Sequence, residues 1–401
     1  MSLRHILIAI FAVLAGSVII KVGNALLSLS IILNLDATGI SKQAIGFVAA
    51  SFMVGFLAGG FSARRVIGRL GHVRAFAGVT SLSAIVTLLF PLIDSSIAWI
   101  FLRAVYGFTG AISYVVFESW LNERATVETR GRVMGVYASS NYLALAVGQL
   151  LVNVTGPGPL AFQLCAMLVM AGLIPMVSTR LPQPELKQAH YLSMPALYRQ
   201  SPLAVVAVTA GGLMNGGVFG LNAIFAKGIG LSLLQVSLFT GAGVFGAFLF
   251  LWVIGRFSDR YGRRQALAGA LVVVVTTSTL LAMSGWLGFG FPALMAIALI
   301  QGAPLLSVYH SAVAHAFDRM PREHYVSASA SFQIFFSVGS IVGPIACGSL
   351  MDIDVHALWI YVASIAGLLL LFLAYRWIVR PQVVPAPAAP VPEPPREGVT
   401  A

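Results

Sequence analysis

The chain has 401 residues, 58% of them hydrophobic and only 9% charged, with 24 Lys and Arg against 13 Asp and Glu for a net charge of +11. A soluble domain carries about 25% charged residues, so a water-soluble globular protein is excluded. Excess positive charge on so apolar a chain fits a membrane protein facing anionic lipid, and no nucleic-acid partner is needed to explain it.

Twelve apolar stretches follow in chain order, at 6–33, 43–63, 74–93, 97–118, 133–153, 160–180, 203–226, 232–254, 265–284, 290–313, 327–349 and 356–378. A hydrocarbon core of about 30 Å needs about 20 residues of helix, and each stretch supplies that. Barrel strands would be about ten residues long with strict alternation, a pattern missing here. The expected fold is therefore an all-α polytopic membrane protein with twelve transmembrane helices. The first stretch is too long for the apolar region of a secretory signal and has no clear small-residue cleavage site, so it reads as a retained span.

With the N-terminus placed in the cytoplasm, 20 of the 24 basic residues fall on the inner side. Lys42 and Lys227 fall in outer loops, and Lys21 and Arg103 lie within spans. This asymmetry orients the chain with both termini cytoplasmic. The expected location is the cell inner membrane. Leu181–Ser201 is the longest connection and separates six spans from six; its Tyr191, Leu192, Met194, Leu197 and Tyr198 suit a short helix on the inner surface. The expected units are residues 1–180, the linker 181–201, residues 202–378, and a Pro-rich cytoplasmic tail, 379–401, that cannot bury a core. Cys165 and Cys347 lie in separate spans and read as small packing residues, and no metal-ligand spacing occurs.

The halves match at a shift of 195 residues: Tyr106-Gly107 with Gln301-Gly302, Tyr114 with Tyr309, Arg124 with Arg319, and Val147-Gly148 with Val342-Gly343. The loops after the second span of each half also begin alike, Phe61-Ser62-Ala63-Arg64 against Phe257-Ser258-Asp259-Arg260. Several matches at one offset predict two six-helix bundles related by internal pseudo-symmetry. Parallel repeats of this kind rock about a site near the bilayer midplane.

Gly255-Arg256-Phe257-Ser258-Asp259-Arg260-Tyr261-Gly262-Arg263-Arg264 combines tight-turn glycines with an acid among arginines. This block resembles the G-x-x-x-D-R-x-G-R-R loop of the major facilitator superfamily, and the resemblance extends over residues 6 to about 378. It implies a cytoplasmic gate built from Gly255, Asp259, Arg260, Gly262, Arg263 and Arg264. The first-half copy has Ala63 where the acid is expected, so Glu118 or Glu123 is the candidate partner for Arg64, Arg65 or Arg69. Arg103-Ala104-Val105-Tyr106-Gly107 looks like the family's fourth-span R-x-x-x-G motif. Gly339-Ser340-Ile341-Val342-Gly343-Pro344 looks like its G-x-x-x-G-P element. Glu118-Ser119-Trp120-Leu121-Asn122-Glu123-Arg124, with Gly71-His72-Val73-Arg74-Ala75-Phe76, looks like the YcaD-like branch of bacterial transporters. The family expectation is a monomer that draws on the proton gradient.

Charges inside spans are the main functional clue, because an ionisable group there is costly and marks a pathway by default. Lys21 sits mid-span, and Ser17, Lys21, Asn24 and Ser28 recur at helical spacing, a stripe that suits a cavity wall. Counted from the helix centres, Arg103 lies within roughly 5 Å of Lys21 in depth, so both suit one cavity; bonding to backbone carbonyls is its structural alternative. Tyr106, Asn141 with Gln149, Asn215 with Asn222, Gln301 and His310 are the further candidates. Acidic residues are absent from mid-span, whereas a desolvated cationic solute needs a buried carboxylate. The pocket therefore leans toward an anionic or polar neutral solute, with Lys21 the candidate for exchanging a proton.

The expected function is secondary active transport of a small solute by alternating access, coupled to protons. A multidrug or xenobiotic efflux pump is the alternative, and a non-transporting receptor or scaffold is the alternative from another class. No cofactor is called for, since there is no G-x-x-x-x-G-K-[ST] loop for ATP. The chain is not read as an enzyme, since it has no G-x-S-x-G, no H-E-x-x-H and no His/Asp cluster in the spans.

Overall fold

The computed structural model describes residues 3–125, 129–178 and 193–379. Among the described residues there is no strand. The long helices are α1 (Leu3–Ala37), α2 (Lys42–Leu70), α3 (His72–Leu89), α4 (Ser96–Arg124), α5 (Arg130–Leu150) and α6 (Pro159–Val177) in the first half. The second half has α7 (Pro202–Gly228), α8 (Leu233–Tyr261), α9 (Arg263–Ala282), α10 (Phe291–Phe317), α11 (Tyr325–Met351) and α12 (Ala357–Val379). Side-chain caps start several of them: Ser41 accepts from the Ala44 N–H, Ser95 from the Ala98 N–H, and Ser232 forms a capping box with Gln235. Each cap satisfies a helix N–H that has no partner within the helix.

Eleven of these helices are long and apolar enough to cross a bilayer. The other, α5, has the length but carries Tyr137, Ser139, Ser140, Asn141, Tyr142 and Gln149 along it. A short helix at Met194–Gln200 buries Leu197, while Tyr191 and Leu192 of the expected linker helix lie outside the described residues, as does the Pro-rich tail from residue 380.

Two sequence expectations are corrected. Arg64, Arg65 and Arg69 are not in a loop, because α2 runs on to Leu70, and α8 likewise carries Gly255 through Tyr261. A helix of 29 residues spans about 43 Å, well beyond the hydrocarbon, so its last two turns are free to be charged. Both helices end at a glycine with positive φ, Gly71 at 78° and Gly262 at 102°, a backbone state that side-chained residues rarely adopt. These caps fix the register between the two helix ends and the loops after them at a shift of 191, since 262 − 71 = 191. Asp259 therefore corresponds to Gly68, not Ala63, and the first-half copy lacks the acid either way.

The helices of each half pack mainly on one another, with α2 on α4 and α8 on α10 among the closest pairs. Those two crossings are built alike. Gly107 of α4 lies against the Phe52 carbonyl of α2, and Gly302 of α10 lies against the Gly243 carbonyl of α8. Gly148 and Gly343, again 195 apart, face the Val22 and Leu213 carbonyls of α1 and α7. Small residues let backbones approach where lipid offers no hydrophobic drive. Between halves, α2 packs on α11 and α5 on α8.

The crossings yield a stability test. A Cβ at Gly107 or Gly302 would collide with backbone that cannot move aside, whereas one at Gly60 or Gly78 would meet nothing within 4 Å. Gly107→Ala and Gly302→Ala should each destabilise the purified protein by about 1–3 kcal/mol. Gly60→Ala and Gly78→Ala should stay near wild type. Equal thermal melts for all four variants would refute the close-packed crossings.

Candidate functional site: a central cavity between the halves

A cavity of about 410 Å³ lies between the halves. The first half contributes Lys21, Asn24 and Ser28 from α1, Phe52 and Phe56 from α2, Arg103 from α4 and Gln149 from α5. The second half contributes Asn215, Phe219 and Asn222 from α7, Thr240 from α8, Gln301 from α10, and Gln333 and Phe336 from α11. No Asp or Glu is among its lining residues.

Arg103 is 7% exposed and is held in place from several sides. Its Nη2 donates to Ser28 Oγ at 2.7 Å, and its guanidinium carbon lies 4.6 Å from the Phe52 ring centre and 5.6 Å from that of Tyr106. Its Nη1 is buried and has no hydrogen-bond partner among the described residues. The expected alternative, bonding to backbone carbonyls, is replaced by this side-chain contact and two cation–π contacts. The polar stripe on α1 divides: Lys21, Asn24 and Ser28 face the cavity, while Ser17 is fully buried and donates to the Leu14 carbonyl at 2.9 Å.

The remaining candidates sort by helical phase. At about 100° per residue, Asn222 returns to within about 20° of Asn215, and both line the cavity. Gln149 lies about 80° round from Asn141; it lines the cavity and Asn141 does not. His310 is about 180° from Gln301. It is exposed, off the cavity wall, with Nδ1 3.0 Å from the Leu306 carbonyl. Asn215 donates through Nδ2 to the Gly211 carbonyl at 2.8 Å, and Gln301 through Nε2 to Ser278 Oγ at 2.8 Å. Tyr106 is buried under Arg103 and lines a smaller side cavity of about 50 Å³ within the first half.

Polar contacts tie the halves together at one end of the bundle. Asp36 at the end of α1 pairs with Lys42 of its own half at 3.2 Å and with Lys227 of α7 at 2.6 Å. Asp352, just after α11, accepts from the backbone N–H groups of Lys42 at 2.6 Å and Gln43 at 3.2 Å, capping α2 from the other half. Asn153 donates to Ser237 Oγ at 2.7 Å. Nearby, the His356 backbone N–H and then its ring hold the Asp354 carboxyl below the ordinary carboxylate range. The sequence carried a signal for this latch: Lys42 and Lys227 are the two basic residues of the outer loops, and one carboxylate holds both.

At the opposite end the expected gate residues separate into two groups. In the second half, Arg263 pairs with Asp259 and lies 3.6 Å from Asp318, while Arg260 lies over the Tyr261 ring at 5.4 Å. Arg264 is buried, and Gly255 is exposed. In the first half, Arg64, Arg65, Arg69 and Glu123 are exposed, and no ion pair joins them among the described residues. Among the described residues no ion pair joins Glu118 to Arg64, Arg65 or Arg69. The Glu118 carboxylate accepts from the Tyr114 hydroxyl one turn back, and Tyr114 shares the wall of the side cavity with Lys21.

Two pseudo-symmetric six-helix halves around a shared, mostly apolar cavity that carries a few polar and charged side chains define a polytopic membrane carrier. The family model described as Major Facilitator Superfamily matches residues 6–221 and again 203–400, and the chain belongs to that superfamily. It is 26% identical over 368 residues to the protein called uncharacterized MFS-type transporter YcaD of Salmonella paratyphi A, covering 91% of this chain and 94% of that one. The YcaD protein of Salmonella enteritidis PT4 matches to the same extent. Among solved structures, a mutant of the nucleoside transporter NupG matches with TM-score 0.76 at 14% identity, over 91% of this chain and 98% of that one. A D-xylose-proton symporter matches with TM-score 0.71 at 14% identity, over 90% and 96%.

The latch predicts a change in access. With Ala49, a cavity-lining residue, replaced by Cys as a reporter, Asp36→Asn should raise its labelling by an impermeant maleimide from the Asp36 side several-fold. Lys227→Gln should do the same, and the double variant should add little, since both remove one bond. Additive effects, or none, would show that the pair does not hold this end closed.

Proposed function

We propose that this transporter moves a small anionic or polar neutral solute across the cell inner membrane by alternating access. One observation carries the reading: the central cavity presents two cations, Lys21 and Arg103, and no carboxylate among its lining residues. A cationic solute stripped of water would need a buried acid there. Arg103 is held with Nη1 buried and unpartnered among the described residues, which suits a carboxylate or phosphate oxygen. The opposite wall is neutral, and the amide nitrogens of Asn215 and Gln301 are already engaged within the protein. Their carbonyl oxygens then suit hydroxyl or amide donors on the solute.

The asymmetry of basic residues supports cytoplasmic termini and an outward-lying Asp36 end. The latched Asp36 end then supports an inward-facing state. In our reading, residues 1–180 and 202–378 rock about the cavity, joined by 181–201, with Asp259, Arg263 and the neighbouring arginines steadying the cytoplasmic end. Transport runs as a monomer and draws on the proton gradient.

The test is thermal stabilisation of the purified protein by an anionic, neutral and cationic solute panel, since a ligand that binds only the folded state raises its melting point. Anions should stabilise. Lys21→Gln and Arg103→Gln should each weaken that binding about tenfold or more, because each removes a charge-assisted hydrogen bond. Stabilisation by lipophilic cations, unchanged in both variants, would overturn the reading.

A further inference from the structure

Lys21 lines the central cavity. The same side chain also borders the side cavity, together with Thr80, Tyr106, Ser113, Tyr114 and Tyr137. That space has room for about three waters. Tyr114, on its wall, donates to Glu118. Lys21 therefore stands between two compartments, a solute-sized one without acid and a small one that leads through Tyr114 to a carboxylate.

Helix direction brings the two charges toward each other. Side chains lean toward the N-terminus of their helix. α1 runs from the Arg64 end and α4 runs toward it, so Lys21 leans toward the Arg64 end and Glu118 leans back toward the bilayer centre. Lys21 lines the side cavity with Tyr114, which donates to Glu118, and the titratable groups that face Glu118 besides Lys21 are Tyr114 of its own helix, Tyr137 of α5 and Tyr309 of α10. All three are neutral phenols in the ordinary pH range, which leaves Lys21 as the cation on the wall of that side cavity.

We propose that Glu118 is the resident counter-charge of Lys21, and that a solute anion in the central cavity competes with it for the ammonium group. This rests on the anionic-solute reading and gives it a coupling mechanism. With the central cavity free, Lys21 turns toward Tyr114 and Glu118. When an anion engages Lys21, the carboxylate loses its counter-ion in a low-dielectric setting and takes up one proton from water. One anion and one proton then enter together, and the charge inside the first half is unchanged. On release of the anion, Glu118 returns its proton to water and recovers Lys21. Glu118 is thus a positioning and coupling residue that the solute need not touch.

The pairing can be tested without any solute. Breaking a buried pair leaves one charge uncompensated, whereas neutralising both partners does not. Lys21→Gln should therefore lower the melting point, and Lys21→Gln/Glu118→Gln should recover most of the loss. In difference infrared spectra at neutral pH, Lys21→Gln should gain one protonated-carboxyl C=O band that the double variant lacks. Additive melting shifts with no new band would overturn the pairing. Should Lys21→Gln not fold, Glu118→Gln and Tyr114→Phe carry the test through the competition itself. With benzoate as the probe anion and benzamide as its neutral control, Glu118→Gln should tighten benzoate binding about tenfold and leave benzamide unchanged. The wild type should take up about one proton per benzoate bound, and Glu118→Gln none, read with an indicator dye in weak buffer. Weaker benzoate binding in Glu118→Gln would mean that the carboxyl serves the solute directly and would overturn the competition. The two readings fail separately. An intact Lys21–Glu118 double-variant cycle with no stabilisation by any anion removes the anionic solute and keeps the pair. Anion stabilisation with additive single variants keeps the solute and removes the pair.

Discussion

In hydrocarbon a peptide group has no water to bond, so each backbone N–H and C=O must be satisfied within its own helix. That constraint spends the whole backbone on scaffolding, and it explains why the described spans are helical throughout. It also means that helices cannot be joined by the force that joins them in water. The halves instead pack through close crossings at small residues, as where Gly107 meets the Phe52 carbonyl and Gly302 the Gly243 carbonyl. The same crossing appearing twice is the physical form of the internal repeat. Its recurrence in corresponding helix pairs gives two bodies of similar shape, the arrangement that rocking about a midplane site requires.

With the backbone committed, chemistry is left to a few side chains, and their cost in a low dielectric makes each one legible. Lys21 and Arg103 solve that cost differently. Arg103 is clamped by a hydroxyl and two aromatic rings, so its direction is fixed in advance of any ligand. Lys21 has a flexible stem and borders two cavities, so it is free to change partners. A planar, always-charged anchor beside a mobile point charge matches the intrinsic difference between the two residue types. The fixed cation suits recognition, and the mobile one suits coupling.

The two ends of the bundle are built on different principles. At the Asp36 end, one carboxylate bridges the halves while Asp352 of the second half caps a helix of the first. These are few, partly exposed contacts, the kind that can break and reform within a transport cycle. At the Arg64 end, the ion pairs described stay within the second half, between Asp259, Arg263 and Asp318, and steady one body without tying it to the other. Among the described residues the first half has no counterpart to this network, since Gly68 stands where Asp259 does. The pseudo-symmetry therefore holds for the packing and fails for the charges.

The sequence by itself determined the class, the number of long helices and the duplicated plan, because apolar length and repeated glycines are local properties. It also singled out Lys21 and Arg103, since a charge in an apolar run is conspicuous without any coordinates. Helical phase was readable in principle and separated Asn215 and Asn222, which share a face, from Asn141 and His310, which turn away from the cavity. Only the tertiary structure decided where α2 and α8 end, because a helix does not stop at the edge of hydrocarbon. The cap glycines, not the resemblance of Phe61–Arg64 to Phe257–Arg260, set the register between the loops. Only the tertiary structure moved Glu118 from the arginines to Tyr114, and joined Asp36 to Lys227 across 191 residues of chain. Pairing depends on which helices lie side by side and which way each runs, and neither is written in the spacing along one of them.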